Sequence, residues 1–385
     1  MASRWNAAGR RYEEKLGMNI VKSTNRYEDW LRKRLPIIEQ DVEYKHERMM
    51  DSPFEFMRAT FYRWMQLWPD YCKDLVSAPE VLTVGDLHTD NFGTWIDIEG
   101  RLVWGINDFD EAYPQAYAVD LVRLATSAAM ALSEDYSATP LSDLCQPILK
   151  GYSQGLRAGG APFVLGEEAD DWLLDLIDEM QKEPERFWEK LRELPKFEGE
   201  VPECAVVAIR DALPEVGLRY RVAHRVAGLG SLGRSRFLAL MRFCGAFTAR
   251  EAKELTASAV YWSLDEQGSN EIFYSKILRQ AVRCHDPFLR ASDRWVVRRL
   301  SPDYVRLDIP ELSEADLASS LHAMGWETAN VHLGSGGKST RNVLDDLKDK
   351  NKNDPEWLSR SADVMLEATL DDYHDWVNRA NNSTV

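Results

Sequence analysis

Apolar residues recur at helical spacing through most of this chain and at strand spacing in two restricted stretches. Tyr27 to Met50 is charged and periodic, and Phe54 to Leu75 is aromatic-rich with apolar residues three and four apart. Both predict helices across the first part of the chain. A short β segment is predicted from Val81 to Ile106, and helical text resumes from Ala116 to Leu191, broken by a turn at Gly159-Gly160-Ala161-Pro162. From Leu218 to Leu307 the pattern predicts strands around a glycine-rich turn, with a helix near Glu271 to Cys284. Asp293 to Ile309 reads as a hairpin turning at Ser301-Pro302-Asp303. After Pro310, Ser313-Glu314-Ala315-Asp316 resembles a capping box, so helices are expected to the C-terminus.

Composition narrows the class. With 385 residues, 44% of them hydrophobic, the chain can bury a substantial core spread over two or three packed lobes. Its formal charge of -16 repels phosphate backbones and anionic membranes, so nucleic acid and membrane are not the expected partners. The five cysteines (72, 145, 204, 244 and 284) are odd in number and lack CxxC spacing, which argues against a disulfide framework or structural zinc and fits a reducing compartment. The N-terminus, MASRWNAAGRRYEEKLG, has no apolar signal region, and no stretch is long and apolar enough to span a bilayer. The expectation is a soluble, cytoplasmic protein.

The densest chemistry lies in GDLHTDNFGTWIDIEGRLVWGINDFDEA, Gly85 to Ala112. Trp95 to Ile98 and Leu102 to Trp104 are strand-like, with Glu99-Gly100 as a two-residue turn. In that hairpin Ile98 faces Arg101, and continued pairing sets Asn91 opposite Asp108. An amide oxygen and a carboxylate held that close can share a hard cation such as Mg²⁺. Asp110 then shares a face with Asp108, and Asp86 sits in a loop suited to meet an incoming hydroxyl. A hairpin whose Asp and Asn residues only terminate strands has the same local text.

GDLHTDN resembles the catalytic loop of aminoglycoside and choline kinases, INDFDEA resembles their metal-binding segment, and AVDLVRLATS resembles the motif that follows it there. With SPFEFMRA (Ser52 to Ala59) and a glycine-rich segment, these motifs are similar to a bacterial family built on a domain of unknown function, DUF2252, related to protein-kinase-like and aminoglycoside phosphotransferase-like proteins. The resemblance implies Asp86 as catalytic base and Asn91 with Asp108 as Mg²⁺ ligands. The kinase loop often carries His immediately before Gly-Asp, where this chain has Val84. His88 is expected to brace its loop, and Asp120 and Arg123 to be structural.

RVAGLGSLGRSRFLALMRF carries Gly228, Gly230, Ser231 and Gly233 in GxGxxG spacing, which lets backbone N–H groups approach phosphates. Glu251 and Glu254 follow at a distance a dinucleotide-binding fold would use for ribose. However, Arg221 to Val226 alternates polar and apolar, as an exposed antiparallel strand does. On that view Phe237 to Phe243 is a second strand, Cys244-Gly245 its turn, and Phe247 to Lys253 a third. Lys253, with Arg250 as rival, would grip the nucleotide phosphates.

The expected fold is therefore α+β: a protein-kinase-like, two-lobed fold in circularly permuted order. Residues 1–195 form a helical lobe with the hairpin, 196–310 a small β-rich lobe covering the nucleotide, and 311–385 the C-terminal helices completing the first lobe. The expected activity is transfer of a phosphoryl group from Mg²⁺-ATP, or another nucleotide, to a small-molecule hydroxyl. A nucleotide-binding pseudokinase, a metal-dependent hydrolase and, on GxGxxG alone, a nicotinamide-dependent oxidoreductase are the alternatives. Arg58 is expected to pack its stem and pair at the surface, with a phosphate contact as the alternative. Trp64 and Trp68 are expected in the core, with the acceptor pocket as the alternative. His332 is expected to cap a helix, and Gly334 to Ser339 to form a mobile loop.

Overall fold

The computed structural model describes residues 18–132, 139–166, 171–180, 183–265, 270–292 and 294–383. The N-terminal residues 1–17 that lack an apolar signal region lie outside them, as does Asp293. Four helices open the described chain: α1 (Ile20–Arg32), α2 (Glu39–Arg48), α3 (Pro53–Ala59) and α4 (Phe61–Tyr71). Their starts follow local chemistry. The Asn19 side chain accepts from Lys22 N–H to cap α1, and Ser52 accepts from Glu55 N–H to cap α3, where Pro53 needs no donor of its own.

Next come β1 (Glu80–Thr83), β2 (Phe92–Ile96), β3 (Leu102–Ile106) and β4 (Tyr113–Ala116). After α5 (Ala118–Leu132) and α6 (Leu141–Ala158), a short β5 (Phe163–Val164) joins β3, giving the order β2-β3-β5, while β1 pairs with β4. Helices α7 (Asp171–Glu179), α8 (Pro184–Glu193) and α9 (Glu203–Asp211) lead to β6 (Arg221–His224), β7 (Arg236–Phe243) and β8 (Ala246–Glu254). Beyond α10 (Ala259–Ser263) and α11 (Tyr274–Gln280) lie β9 (Arg290–Ser292) and β10 (Trp295–Leu300). Three helices end the chain: α12 (Glu314–Leu333), α13 (Gly337–Asn353) and α14 (Trp357–Ser383).

The C-terminal helices return to the first half of the chain. One continuous core runs from Tyr27 through Trp104 and Tyr152 to Met365. Helices α6 and α12 meet backbone to backbone at glycines: a Cβ on Gly151 would fall 1.9 Å from His322 O, and one on Gly325 2.2 Å from Ile148 O. Across the same body Arg63 Nε donates to Asp372 Oδ2 at 2.6 Å, tying α4 to α14. Trp64 and Trp68 are buried there, as expected.

The five-stranded sheet is antiparallel, in the order β6-β7-β8-β10-β9. A two-residue turn at Cys244 (φ +49°) and Gly245 (φ +85°) joins β7 to β8, as the alternation predicts. One face, carrying Phe237, Ala252, Trp295 and Val297, packs on Ala205 and Ile209 of α9. The opposite face is apolar at one end, where Leu238 and Leu240 meet Leu191, and charged at the other, where Arg236, Glu251, Lys253 and Arg298 lie on paired strands. The expected hairpin after Asp293 is displaced. β10 pairs with β9 before it, while Val305 beyond the turn instead exchanges hydrogen bonds with Thr94 of β2. That exchange clips the small sheet to the helical body. Among the described residues no helix is long and apolar enough to cross a membrane.

Candidate active site

The loop after β1 is shaped by a buried brace. Gly85 has φ +88°, and a Cβ there would fall 2.2 Å from Glu111 O, so only glycine fits. Val84 and Gly85 N–H donate to the Asp120 carboxylate at 2.7 and 2.9 Å. His332 Nε2 lies 2.9 Å from the same carboxylate, and Tyr152 OH lies 2.8 Å from His332 Nδ1. Asp120 is fully buried, and His332 nearly so. The expectation of His332 as a helix cap is thus corrected: it is the far end of a chain of contacts that holds the Asp86 loop.

Asp86 follows this loop directly. Its Oδ1 accepts from Arg123 Nε at 2.8 Å and Nη2 at 2.5 Å, and the Arg123 side chain is fully buried against the rings of Phe61 and Trp64. Among the described residues nothing hydrogen-bonds the second oxygen, Oδ2, which lies beside Gly230. Burial raises the Asp86 carboxyl above the ordinary value for aspartate, while the Arg123 charge opposes that rise.

The hairpin register differs from the expected one by a single residue. The Asp97 carboxylate accepts from Glu99 N–H and Arg101 N–H, each at 2.9 Å, and Gly100 takes φ +79°. That side-chain turn makes a three-residue loop instead of Glu99-Gly100 alone. Asn91 is consequently level with Asn107, whose N–H donates to its carbonyl, and Asp108 falls one step further on. Asn91 Oδ1 accepts from His88 N–H at 2.7 Å, so one lone pair is already engaged. Asn91, Asp108 and Asp86 still line one cavity.

Lys253 of β8 lies behind two acids of that cavity, Asp108 and Asp110. Its Nζ lies 3.1 Å from Asp108 Oδ1 and 2.7 Å from Asp110 Oδ1. Burial would raise both acids. At Asp108 Lys253, a hydrogen bond with Asp110 and the charge of Arg298 together outweigh burial and hold the acid below the ordinary range, whereas burial and the charge of Asp108 leave Asp110 raised. Arg250, the rival, projects from the other face. Its Nε donates to Ala212 O at 2.7 Å, so strand parity decides between the two.

The glycine-rich segment closes the cavity. A Cβ on Gly230 would sit 3.1 Å from Arg58 O and 3.4 Å from Asp86 Oδ2, while Leu229 and Leu232 are buried with Ile20, Met49, Phe56 and Ala59. Ser231 Oγ accepts from Arg236 Nη2 at 2.7 Å and donates to Gly228 O at 3.0 Å. The segment follows an antiparallel strand and leads into another, not into a helix. Glu251 is fully buried beneath Arg225, Arg236 and Arg298. Both facts exclude the dinucleotide-binding arrangement that the GxGxxG spacing and the two glutamates allowed.

Several arginines line the cavity: Arg58, whose phosphate contact was the alternative expectation, and Arg225, Arg234, Arg236, Arg298 and Arg306, which had no expected site role. Arg58 lies 3.0 Å from Asp90 Oδ2 instead of at the surface, and Arg234 lies 3.2 Å from Glu111 Oε1. Their individual motifs carry no signal; only the surplus of arginine around these segments hints at them. Charge is unevenly shared. Asp108, Asp110 and Glu111 face Lys253 and Arg234, three carboxylates against two cations. Arg225, Arg236 and Arg298 face Glu251, three cations against one. Gly334 to Ser339 is not a mobile loop: Ser335 Oγ accepts from Leu82 N–H at 2.7 Å, and α13 begins at Gly337. Among the described residues no group of three or more His, Cys, Asp or Glu side chains converges as a metal site.

No curated protein and no solved structure matches the chain. A family model described as an uncharacterized protein conserved in bacteria matches residues 34–186 and 216–379, which include the Asp86 loop, the hairpin, the glycine-rich segment and Lys253. The chain therefore belongs to the bacterial family DUF2252.

Proposed function

We propose that this protein is a phosphotransferase that moves a phosphoryl group from Mg²⁺-ATP, or another nucleoside triphosphate, to the hydroxyl of a small-molecule acceptor. The proposed scaffold is a protein-kinase-like fold whose two lobes occur in permuted order. The observation that carries this reading is the ion pairing of Lys253 with Asp108 and Asp110, two acids that line one cavity with Asp86, Asn91 and the glycine-rich segment. In protein kinases a glycine-rich loop covers the phosphates and a lysine on the third strand holds them; here Lys253 is on the third strand of its sheet.

Asp108, Asp110 and Asn91 fit a hard cation bound jointly with substrate phosphates, because Mg²⁺ takes one or two protein carboxylates and completes its shell with phosphate and water. The clustering of Asp108, Asp110 and Glu111 along one short segment favours it. When bound, the ion offsets charge that develops on the phosphates. Lys253 supplies a point charge toward the phosphates. Asp86 takes the acceptor's proton at Oδ2, since Arg123 holds Oδ1 and fixes the orientation of the carboxylate.

A second reading, a nucleotide-binding switch without turnover, draws on the glycine-rich segment resting on Asp86 over an inner cavity of about 100 Å³. Calorimetry with Mg²⁺-ATP and a γ-phosphate transfer assay test both. Undiminished Mg²⁺-ATP affinity in Asp108→Ala would sink the metal assignment. Tight binding with no turnover in the wild type would favour the switch.

A further inference from the structure

Beside the inner cavity opens a larger cleft of about 1360 Å³, and Asp90, Asn107, Arg225, Arg298 and Arg306 form the wall the two share. Arg225 and Arg298 are held at their inner ends by Glu251, which also holds Arg236. Three guanidiniums meet at one fully buried carboxylate, so Glu251 by itself does not balance them. Arg225 and Arg298 are nonetheless only part-buried, so each keeps an edge toward the cleft. Arg306 is half-exposed, and its nearest carboxylate, Asp90, lies 3.7 Å away and is shared with Arg58.

In a chain of net charge -16, this cation surplus at one wall is a local construction. Guanidiniums present paired N–H donors that match the oxygens of a phosphate group. Asp108 and Asp110 of the inner cavity have their own cation in Lys253, so these arginines are not needed to pair them. We infer that Arg225, Arg298 and Arg306 form a second oxyanion subsite, one that holds a phosphate group carried by the acceptor. The acceptor is then a phosphorylated, hydroxyl-bearing molecule lying in the large cleft with its hydroxyl toward Asp86. This assignment rests on the phosphotransferase reading, but the subsite can be tested without turnover.

The probe is inorganic phosphate, titrated calorimetrically into wild-type protein, Arg306→Gln and Arg225→Gln. Arg306 is half-exposed, and Glu251 keeps two arginines when Arg225 is replaced; thermal unfolding of each variant verifies that it is folded. The expected result is saturable binding, weakened about tenfold or more in either variant. No binding, or equal affinity in all three proteins, overturns the subsite. Repeating the titration with a saturating non-hydrolysable Mg²⁺-ATP analogue distinguishes two sources of the phosphate group. Phosphate that binds alongside the analogue supports the acceptor assignment. Phosphate displaced by the analogue gives these arginines to the nucleotide and overturns the assignment. Arginine-dependent phosphate binding in a protein with no affinity for any nucleotide keeps the subsite and removes only the transfer reading.

Discussion

Lys253 Nζ sits 3.1 Å from Asp108 Oδ1, although 145 residues separate the two in the chain. Strand parity aims the lysine, since Glu251 and Lys253 share a face with Arg236 and Arg298 of the neighbouring strands. The ammonium group also reaches Asp110, so one cation favours the charged form of both acids, while the charge of Asp108 raises Asp110.

Replacing Lys253 with Met leaves Asp108 and Asp110 facing each other without their cation. Breaking such a pair by removing one partner should lower stability by about 3 kcal/mol. Adding Asp110→Asn should recover part of that loss, because one like charge is removed. Urea unfolding of the single and double variants measures it. Full stability in Lys253→Met would show that the ion pair does not form in solution.

Asp86 works as a base only when deprotonated, and burial raises its carboxyl above the usual aspartate value of about 3.9. As pH falls, kcat/KM for phosphoryl transfer should therefore drop in a range above that value. Arg123→Met removes the opposing charge and leaves the burial, so the acid limb should move to higher pH. A pH–rate profile over about pH 4 to 8 checks this. A limb that stays in place would separate Asp86 from the titration.

Glu327 gives a pH dependence of stability unconnected with turnover. Burial pushes its carboxyl up to about 7, against the pull of Asn330, Arg283 and Ile106 N–H. The folded value lies above the unfolded one, so the stability it contributes is full below the unfolded value and is lost as pH rises through about 7. The loss between about pH 4.5 and 8 amounts to roughly 3 kcal/mol at most. Glu327→Gln cannot titrate, so urea midpoints measured across this range should decline less in the variant. Parallel declines would assign the effect to other groups.

Leu229 anchors the glycine-rich segment among Ile20, Met49, Phe56 and Ala59. Leu229→Ala removes apolar contact that holds the segment in its present position, about 2–3 kcal/mol. If the segment must lift to admit phosphates, the variant should bind Mg²⁺-ATP up to about tenfold more tightly while unfolding at lower urea. Weaker binding would mean that the segment in its present position is already competent.

Much of the local structure was legible from residue order. Proline and serine mark the start of α3, the Cys244-Gly245 turn sets the pairing of β7 and β8, and alternation separates β6 from a buried parallel strand. The acidic candidates Asp86, Asp108 and Asp110 were legible too, because they fall within 25 residues of one another. The hairpin register was not. It turns on the Asp97 carboxylate taking two backbone N–H groups, a side-chain choice that adds one residue to the loop and that backbone propensity does not rank.

What the sequence determined by itself is what short-range chemistry can decide: element type, caps, tight turns and the clustering of acids along one stretch. Only the tertiary structure brought Lys253 to Asp108, set His332 behind Asp120 across 212 residues, and turned three arginines onto Glu251. Those contacts join elements that the core packs together, and a buried charge finds its partner only when packing has taken water away from both.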